Sequence, residues 1–418
     1  MRPGWLTGRA VAWASFDVAS SAYFGVAPAV LMPIYFREVF ASAANPTAAW
    51  GMVAALAVVA SSIAALVAAS LARRIPRFAL MVTSTVGLVA AITALALNPW
   101  ESAMQAALGF IAAQSFYFAA MTLYESYLPE LTTPADRQKL SGFGWSVGYL
   151  GGILAITVLL WLIAAEPASL ALLDACFAAL AVISAVLFAI VIAFMWRAGF
   201  GRITGAVAAP QWRGVVSAIR HWRAYRSVFQ LLLGSMLVQV AITVVVTFAA
   251  PILASRSGQT LQDLLWLLLL IHVLSVPSTL VWSALISNWS RLVPMAVLLS
   301  CWGLVLLLLA FGSGTWMPVA TVSVIGCCVG ATSSALRGFL AESVGPGDSA
   351  AFFGLSTVAG RMAAASGPML YSAVALAAGE RVSLLVVLTV LALGALLVLR
   401  HLLNRPASVE PRQMELSS

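Results

Sequence analysis

The chain has 418 residues, of which 62% are hydrophobic and only 9% charged, and its mean hydropathy is +1.01. A soluble fold cannot hide that much apolar surface, because most of its residues face water on at least one side. The net charge of +8 comes almost wholly from arginines gathered in particular connections, a pattern that speaks of membrane topology and not of a nucleic-acid partner.

A bilayer core of about 30 Å is crossed by about 20 apolar residues in a helix. Apolar runs broken by Pro, Gly and charge predict twelve helices, over 9–36, 48–71, 78–98, 102–128, 139–163, 170–196, 226–253, 262–286, 292–311, 316–341, 350–376 and 381–403. Runs such as LLVVLTVLALGALLVL lack the alternation of a β-barrel strand, so the expected class is an all-α membrane protein. The first run starts near Val11, lacks a small-residue cleavage site and contains Asp17, which reads as a retained helix and not a signal peptide. Cys176, Cys301, Cys327 and Cys328 lie inside apolar runs with no metal-ligand spacing, and read as small buried hydrophobes; no metal and no cofactor are expected.

In chain order, the first helix carries Asp17, Ser20, Ser21, Phe24 and Pro28 on one face at the i, i+3, i+4, i+7 spacing. The fourth carries a comparable stripe of Gln114, Phe118, Met121 and Glu125, with Tyr117 and Tyr124 nearby. In the fifth, Gly144, Gly148 and Gly152 recur every four residues, the small-xxx-small pattern of close helix contact, beside Trp145. The connection over 197–225 is the longest; its QWRGVVSAIRHWRAYR segment sets Trp212, Val215, Val216, Ile219 and Trp222 along one side, as in a surface helix joining two halves. Gln230, Gln239 and Thr243 follow in the seventh helix, His272 in the eighth, Thr332, Ser333 and Arg337 in the tenth, and Arg361 in the eleventh. Pro33, Pro251, Pro277 and the Gly367–Pro368 pair are expected to bend or break their helices.

Alternating the helices across the bilayer places seventeen Lys and Arg residues at one end, against Arg37, Arg256 and Arg381 at the other. The positive-inside rule then predicts that both termini are cytoplasmic, as an even helix number requires.

An internal repeat sets the architecture. At a constant offset of 212 residues, Leu128 meets Leu340, Glu130 meets Glu342, Pro134 meets Pro346, Asp136 meets Asp348, Gly142 meets Gly354 and Gly148 meets Gly360. The fourth helix thus corresponds to the tenth and the fifth to the eleventh. A shift by an even number of helices preserves orientation, so two parallel six-helix repeats are expected, over 1–196 and 226–405, with a linker at 197–225 and a tail at 406–418. Such a repeat supports rocking of the halves about a midplane site between them.

Three stretches resemble a known family: WASFDVASSAYFGVAPAVLMPIYF in the first helix, YLPELTTPADRQKLSGFGWSVGYLGG across the fourth and fifth, and FFGLSTVAGRMAAASGPML in the eleventh. Together they resemble the major facilitator superfamily, in particular its vacuole-effluxer-like branch of autophagy-related and bacterial permeases. The resemblance implies a secondary transporter, with the first and fourth helices on a central cavity and amino-acid export as one precedent. Two departures stand out. Ser20 replaces the Asn of the first-helix pattern, and Ala72 stands where the loop after helix two usually carries an acid, which puts the usual cytoplasmic latch in question.

Ionisable groups at membrane depth cost about 3 kcal/mol on insertion scales and normally face protein or water. Asp17, Glu125, Arg337 and Arg361 are the coupling or gating candidates. Glu125 and Arg337 are themselves related by the 212-residue offset, so they are expected either to pair when the cytoplasmic mouth closes or to snorkel separately. Asp17 is read as a proton-coupling carboxylate or as a packing anchor, and His272 as a satisfied polar side chain or a relay. Ser20, Ser21, Phe24, Gln114, Tyr117, Phe118, Met121, Trp145, Gln239, Thr243, Thr332 and Ser333 are the cavity candidates, the aromatics with packing as the alternative. The expected function is secondary transport of a small polar, zwitterionic or amphiphilic solute, amino acid or peptide-like, in a bacterial inner membrane by a monomer. Protons are a candidate coupling partner. A lipid or lipophilic-compound flippase of the same fold and an intramembrane enzyme are the alternatives; the latter lacks acid pairs, a nucleotide loop or a nucleophile set.

Overall fold

The computed structural model describes residues 6–39, 46–72, 74–97, 103–131, 137–163, 170–202, 220, 222–223, 225–288, 291–344 and 349–404. Within them run twelve long helices. The first, α1 (Gly8–Phe24), continues through a π-helical turn (Ala27–Leu31) into Met32–Val39. Then follow α2 (Pro46–Leu71), α3 (Arg77–Ala96), α4 (Ala103–Glu125), α5 (Arg137–Ile163), α6 (Leu170–Arg197), α7 (Arg226–Ser257), α8 (Leu261–Asn288), α9 (Leu292–Phe311), α10 (Met317–Ser343), α11 (Ser349–Ala378) and α12 (Glu380–Leu403). Eleven of the helices are long and apolar enough to span a membrane; α11, with Arg361 and a run of small residues, is 30 residues long but less apolar.

Local chemistry explains several boundaries. Thr7 caps α1, its hydroxyl accepting from the Ala10 amide at 3.1 Å. Pro28 would clash with the carbonyl of Phe24, four residues earlier, and α1 ends there. The wider turn that follows, with the Leu31 and Met32 amides reaching back five residues, carries the chain past both Pro28 and Pro33. Pro251, Pro277 and Pro368, by contrast, lie inside continuous helices. Gly258 (φ 62°) and Gly379 (φ 89°) supply the left-handed residues that let α7 turn into α8 and α11 into α12.

The packing partners of the two halves repeat. In the first, α1 packs on α5 and α6, α2 on α4, and α3 on α4 and α6; in the second, α7 packs on α11 and α12, α8 on α10, and α9 on α10 and α12. Adding six to each number converts one set into the other, which is the geometry of two parallel six-helix repeats. Of the residues carrying the sequence repeat, Pro134, Asp136, Pro346 and Asp348 lie outside the described residues, as do most of the linker, including Trp212, Val215, Val216 and Ile219, and the 406–418 tail.

The glycine stripe of α5 does what its spacing predicts. A Cβ on Gly144 would sit 2.5 Å from Asp17 Oδ2, and one on Gly148 would sit 2.9 Å from Ser21 Oγ. Bare backbone is what lets α1 lie this close to α5.

Candidate functional site

The two bundles meet along two seams related by the repeat, α2 against α11 and α5 against α8, and the distal part of α1 also touches α7. At the arginine-poor end the joint is tight. The Trp50 indole donates to the Thr247 carbonyl at 3.2 Å, linking α2 to α7. Phe248 stacks on Tyr371 with centroids 3.9 Å apart, and Gly51 fits against Phe248 and Ser372. Midway, His272 of α8 enters a notch in the first bundle. Its Nδ1 donates to the Leu268 carbonyl at 2.9 Å, which turns Nε2 toward Gly25 and Gly152; a Cβ there would lie 2.9 and 2.7 Å from that nitrogen.

The arginine-rich end is different. On α4, Glu125 is exposed at the end of the stripe it shares with Gln114, Phe118 and Met121. Arg337 of α10 and Trp145 of α5 face one another across the bundles, guanidinium carbon 5.5 Å from the ring centroid, and both are exposed. Had the bundles closed here, inner-face residues such as these would be covered. A cleft between the halves is therefore open at this end.

Deeper in the cleft, Arg361 of α11 lies over the Phe118 ring of α4 at 4.1 Å. Phe24, 41% exposed, stacks on Tyr117 with centroids 5.0 Å apart and meets Phe118 edge-on at 5.9 Å. Glu125 feels both arginines electrostatically, and no direct ion pair joins it to either among the described residues. Glu125 and Arg337, expected either to pair or to snorkel separately, thus belong to a three-charge cluster that includes Arg361. A lone charge at membrane depth is costly, and the cluster offsets part of that cost while leaving Glu125 and Arg337 exposed.

Other predicted residues turn elsewhere. Asp17 is buried inside the first bundle: the Tyr124 hydroxyl donates to its Oδ2 at 2.8 Å, and Ser20 Oγ donates to its backbone carbonyl at 3.2 Å. Trp13 and Phe16 sandwich the Tyr124 ring at 4.6 and 4.7 Å, and the Trp13 indole donates to the Tyr124 carbonyl. Gln114 is buried and accepts from the Tyr23 hydroxyl at 3.4 Å. Thr332 is fully buried within the second bundle, accepting from the Trp302 indole at 3.0 Å and donating to the Cys328 carbonyl. Gln230 likewise serves packing, donating to the Leu397 carbonyl. Ser21, Met121, Gln239, Thr243 and Ser333 are half-buried, and the Ser333 carbonyl accepts from Arg337 Nε at 3.3 Å.

Two residues went unremarked in the sequence. Arg77 opens α3, is almost completely buried, and pairs with Glu130 at 2.6 Å over the Tyr127 ring. Arg291, just before α9, pairs with Glu342 at 3.1 Å. Glu130 and Glu342 are repeat partners, so each half uses the same acid to tie its third helix to the end of its fourth. The signal was present in the repeated Glu, but its partner arginines sit 214 residues apart, off the constant offset of 212.

Two parallel six-helix bundles meeting around a polar cleft form the architecture of a membrane transporter. The Major Facilitator Superfamily model matches residues 11–368, and the chain belongs to that family. Among solved structures it is similar to a mutant of the nucleoside transporter NupG (15% identity, TM-score 0.69, covering 95% of this chain and 98% of that one). It is also similar to a bacterial homologue of the human lysosomal transporter Spinster in an inward-facing, unoccupied conformation (13%, 0.64, 95% and 96%). A third similarity is to the xylose transporter XylE from E. coli in a partially occluded inward-open conformation (16%, 0.62, 94% and 99%). At these identities the likeness speaks to the fold alone. A search among curated proteins returns no match.

Proposed function

We propose that this transporter moves a small polar, zwitterionic or amphiphilic solute, amino acid or peptide-like, by alternating access, as a monomer of the vacuole-effluxer-like branch in a bacterial inner membrane. The observation that carries the reading is the cluster of Glu125, Arg337 and Arg361 with Phe118 and Trp145. Arginines from the second half meet a carboxylate and aromatic rings from the first in an open cleft. A solute bound there touches both bundles, and only a ligand that interacts differently with the two arrangements can shift their balance.

With the arginine-rich end in the cytoplasm, the cleft faces inward, as in the Spinster homologue. Closing that end would bring Glu125, Arg361 and Arg337 together, so the three-charge cluster serves as the gate. Asp17, held by Tyr124, acts as the anchor of α1 against α4 and α5. Counterflow in proteoliposomes loaded with a mixed metabolite pool, run with and without a proton gradient, tests the proposal. Exchange of an amino acid or peptide supports it, and exchange restricted to lipids or to inorganic ions overturns it.

A further inference from the structure

Arg337 is held in a way that Arg361 is not. Its Nε donates to the Ser333 carbonyl one turn earlier at 3.3 Å, and one face of its guanidinium lies over the Trp145 ring at 5.5 Å. Among the described residues, no group accepts from its two Nη atoms, and the side chain is exposed to the cleft. Anchoring one nitrogen and stacking one face leaves the edge with two parallel N–H donors, whose spacing matches the two oxygens of a carboxylate.

The local charges point the same way. Among the described residues Glu125 makes no direct ion pair with Arg361 or Arg337. Asp17, the other nearby carboxylate, is buried in the first bundle and takes the Tyr124 hydroxyl. Two guanidiniums against one carboxylate leave one positive charge over in this part of the cleft. A cleft with low-dielectric walls focuses the field of that surplus charge, so an arriving anion is drawn to it more strongly than it would be in bulk water. Around it the cleft offers aromatic faces: Trp145, Phe118 and the partly exposed Phe24.

We propose that Arg337 is a carboxylate-binding subsite, and that the transported solute carries a carboxylate on a flat or apolar body that rests against Trp145, Phe118 and Phe24. This rests on the transporter reading above and narrows its solute class. It commits to a carboxylate on the Arg337 fork; an additional ammonium is tolerated, because Glu125 is at hand to meet it.

The test uses the full chain in nanodiscs and four probes matched in shape: phenylacetate, phenylalanine, phenylacetamide and phenethylammonium. Binding is read by tryptophan fluorescence and by thermal shift. Phenylacetate and phenylalanine are expected to bind, with the neutral amide and the bare cation roughly 10-fold weaker or worse. Arg337→Gln should cost phenylacetate roughly 10- to 100-fold and leave the amide unchanged. Arg337→Lys should retain part of the affinity as a point charge without the fork. Should Arg337→Gln fail to fold, Trp145→Leu takes its place, with a several-fold loss expected for the carboxylates alone. Preference for the amide or the ammonium, binding of none of the four, or unchanged phenylacetate binding in a well-folded Arg337→Gln protein each overturns the proposal. Access switching is measured separately, from maleimide labelling of Phe24→Cys applied to either side of the membrane. A protein that labels from both sides yet ignores phenylacetate refutes the carboxylate subsite alone; one that labels from a single side under every condition refutes alternating access.

Discussion

Valine at position 51 is expected to wedge open the end of the molecule that is now closed. A Cβ on Gly51 would lie 2.5 Å from Phe248 Cζ and closer still to Ser372 Oγ, distances that real side chains do not adopt. Neither neighbour can yield, since Phe248 is fully buried and stacked on Tyr371 at 3.9 Å, and Ser372 is fully buried. Overpacking of this kind costs about 1–3 kcal/mol. The strain exists only while α2, α7 and α11 are in contact, so a state in which that end opens is spared it, and the balance between the two states should move by roughly 5- to 150-fold. The assay is labelling of Phe24→Cys by a membrane-impermeant maleimide added at the arginine-poor side, in a background whose native cysteines are silent. Without the wedge the position is protected from that side; with Gly51→Val it should label, and Phe248→Ala together with Ser372→Ala in the same chain should restore protection. Unchanged protection in a Gly51→Val protein of normal yield and stability would refute the assignment of this contact as the seal.

Other expectations follow from the same geometry. Glu130→Gln takes the carboxylate from the buried Arg77, which keeps the Ser126 carbonyl, and should lower stability by about 1–2 kcal/mol, while Glu342→Gln, whose pair with Arg291 is about half exposed, should change it by less than about 1 kcal/mol; comparative thermal melts in one detergent decide. Tyr124→Phe removes the hydroxyl that donates to Asp17 at 2.8 Å and should destabilise by about 1–3 kcal/mol, an effect that Asp17→Asn should largely share and not add to. Exchanging charges tests the gate: Glu125→Arg with Arg361→Glu, or Glu125→Arg with Arg337→Glu, should recover part of the transport lost in the single variants. Equal failure of both exchanges in well-expressed protein would count against a gating role for the cluster.

Much of this molecule is legible in its residues because the relevant forces are local. Hydropathy sums over about 20 neighbours, so helix positions can be read off directly, and the arginine bias between connections follows from the same tally. The 212-residue offset carried the duplication, and the observed packing follows it helix by helix. The Gly144–Gly148 spacing foretold a close helix contact without naming the partner, which proved to be α1 at Asp17 and Ser21.

What the residues alone could not decide is direction. Asp17 and Glu125 are both lone acids on polar stripes, yet one is sealed beneath Tyr124 and the other looks into an open cleft. Thr332 and Arg337 lie on the same helix, yet Thr332 is spent on Trp302 while Arg337 reaches the opposite bundle. Periodicity says which residues share a face, whereas the tilt and rotation of each packed helix determine what that face meets. Those depend on contacts hundreds of positions apart in the chain, and only the folded molecule assembles them. Helix number, duplication and the unequal ends were therefore written in the chain, while the open end, the arginine–aromatic bridges and the carboxylate fork came from the packing of one half against the other.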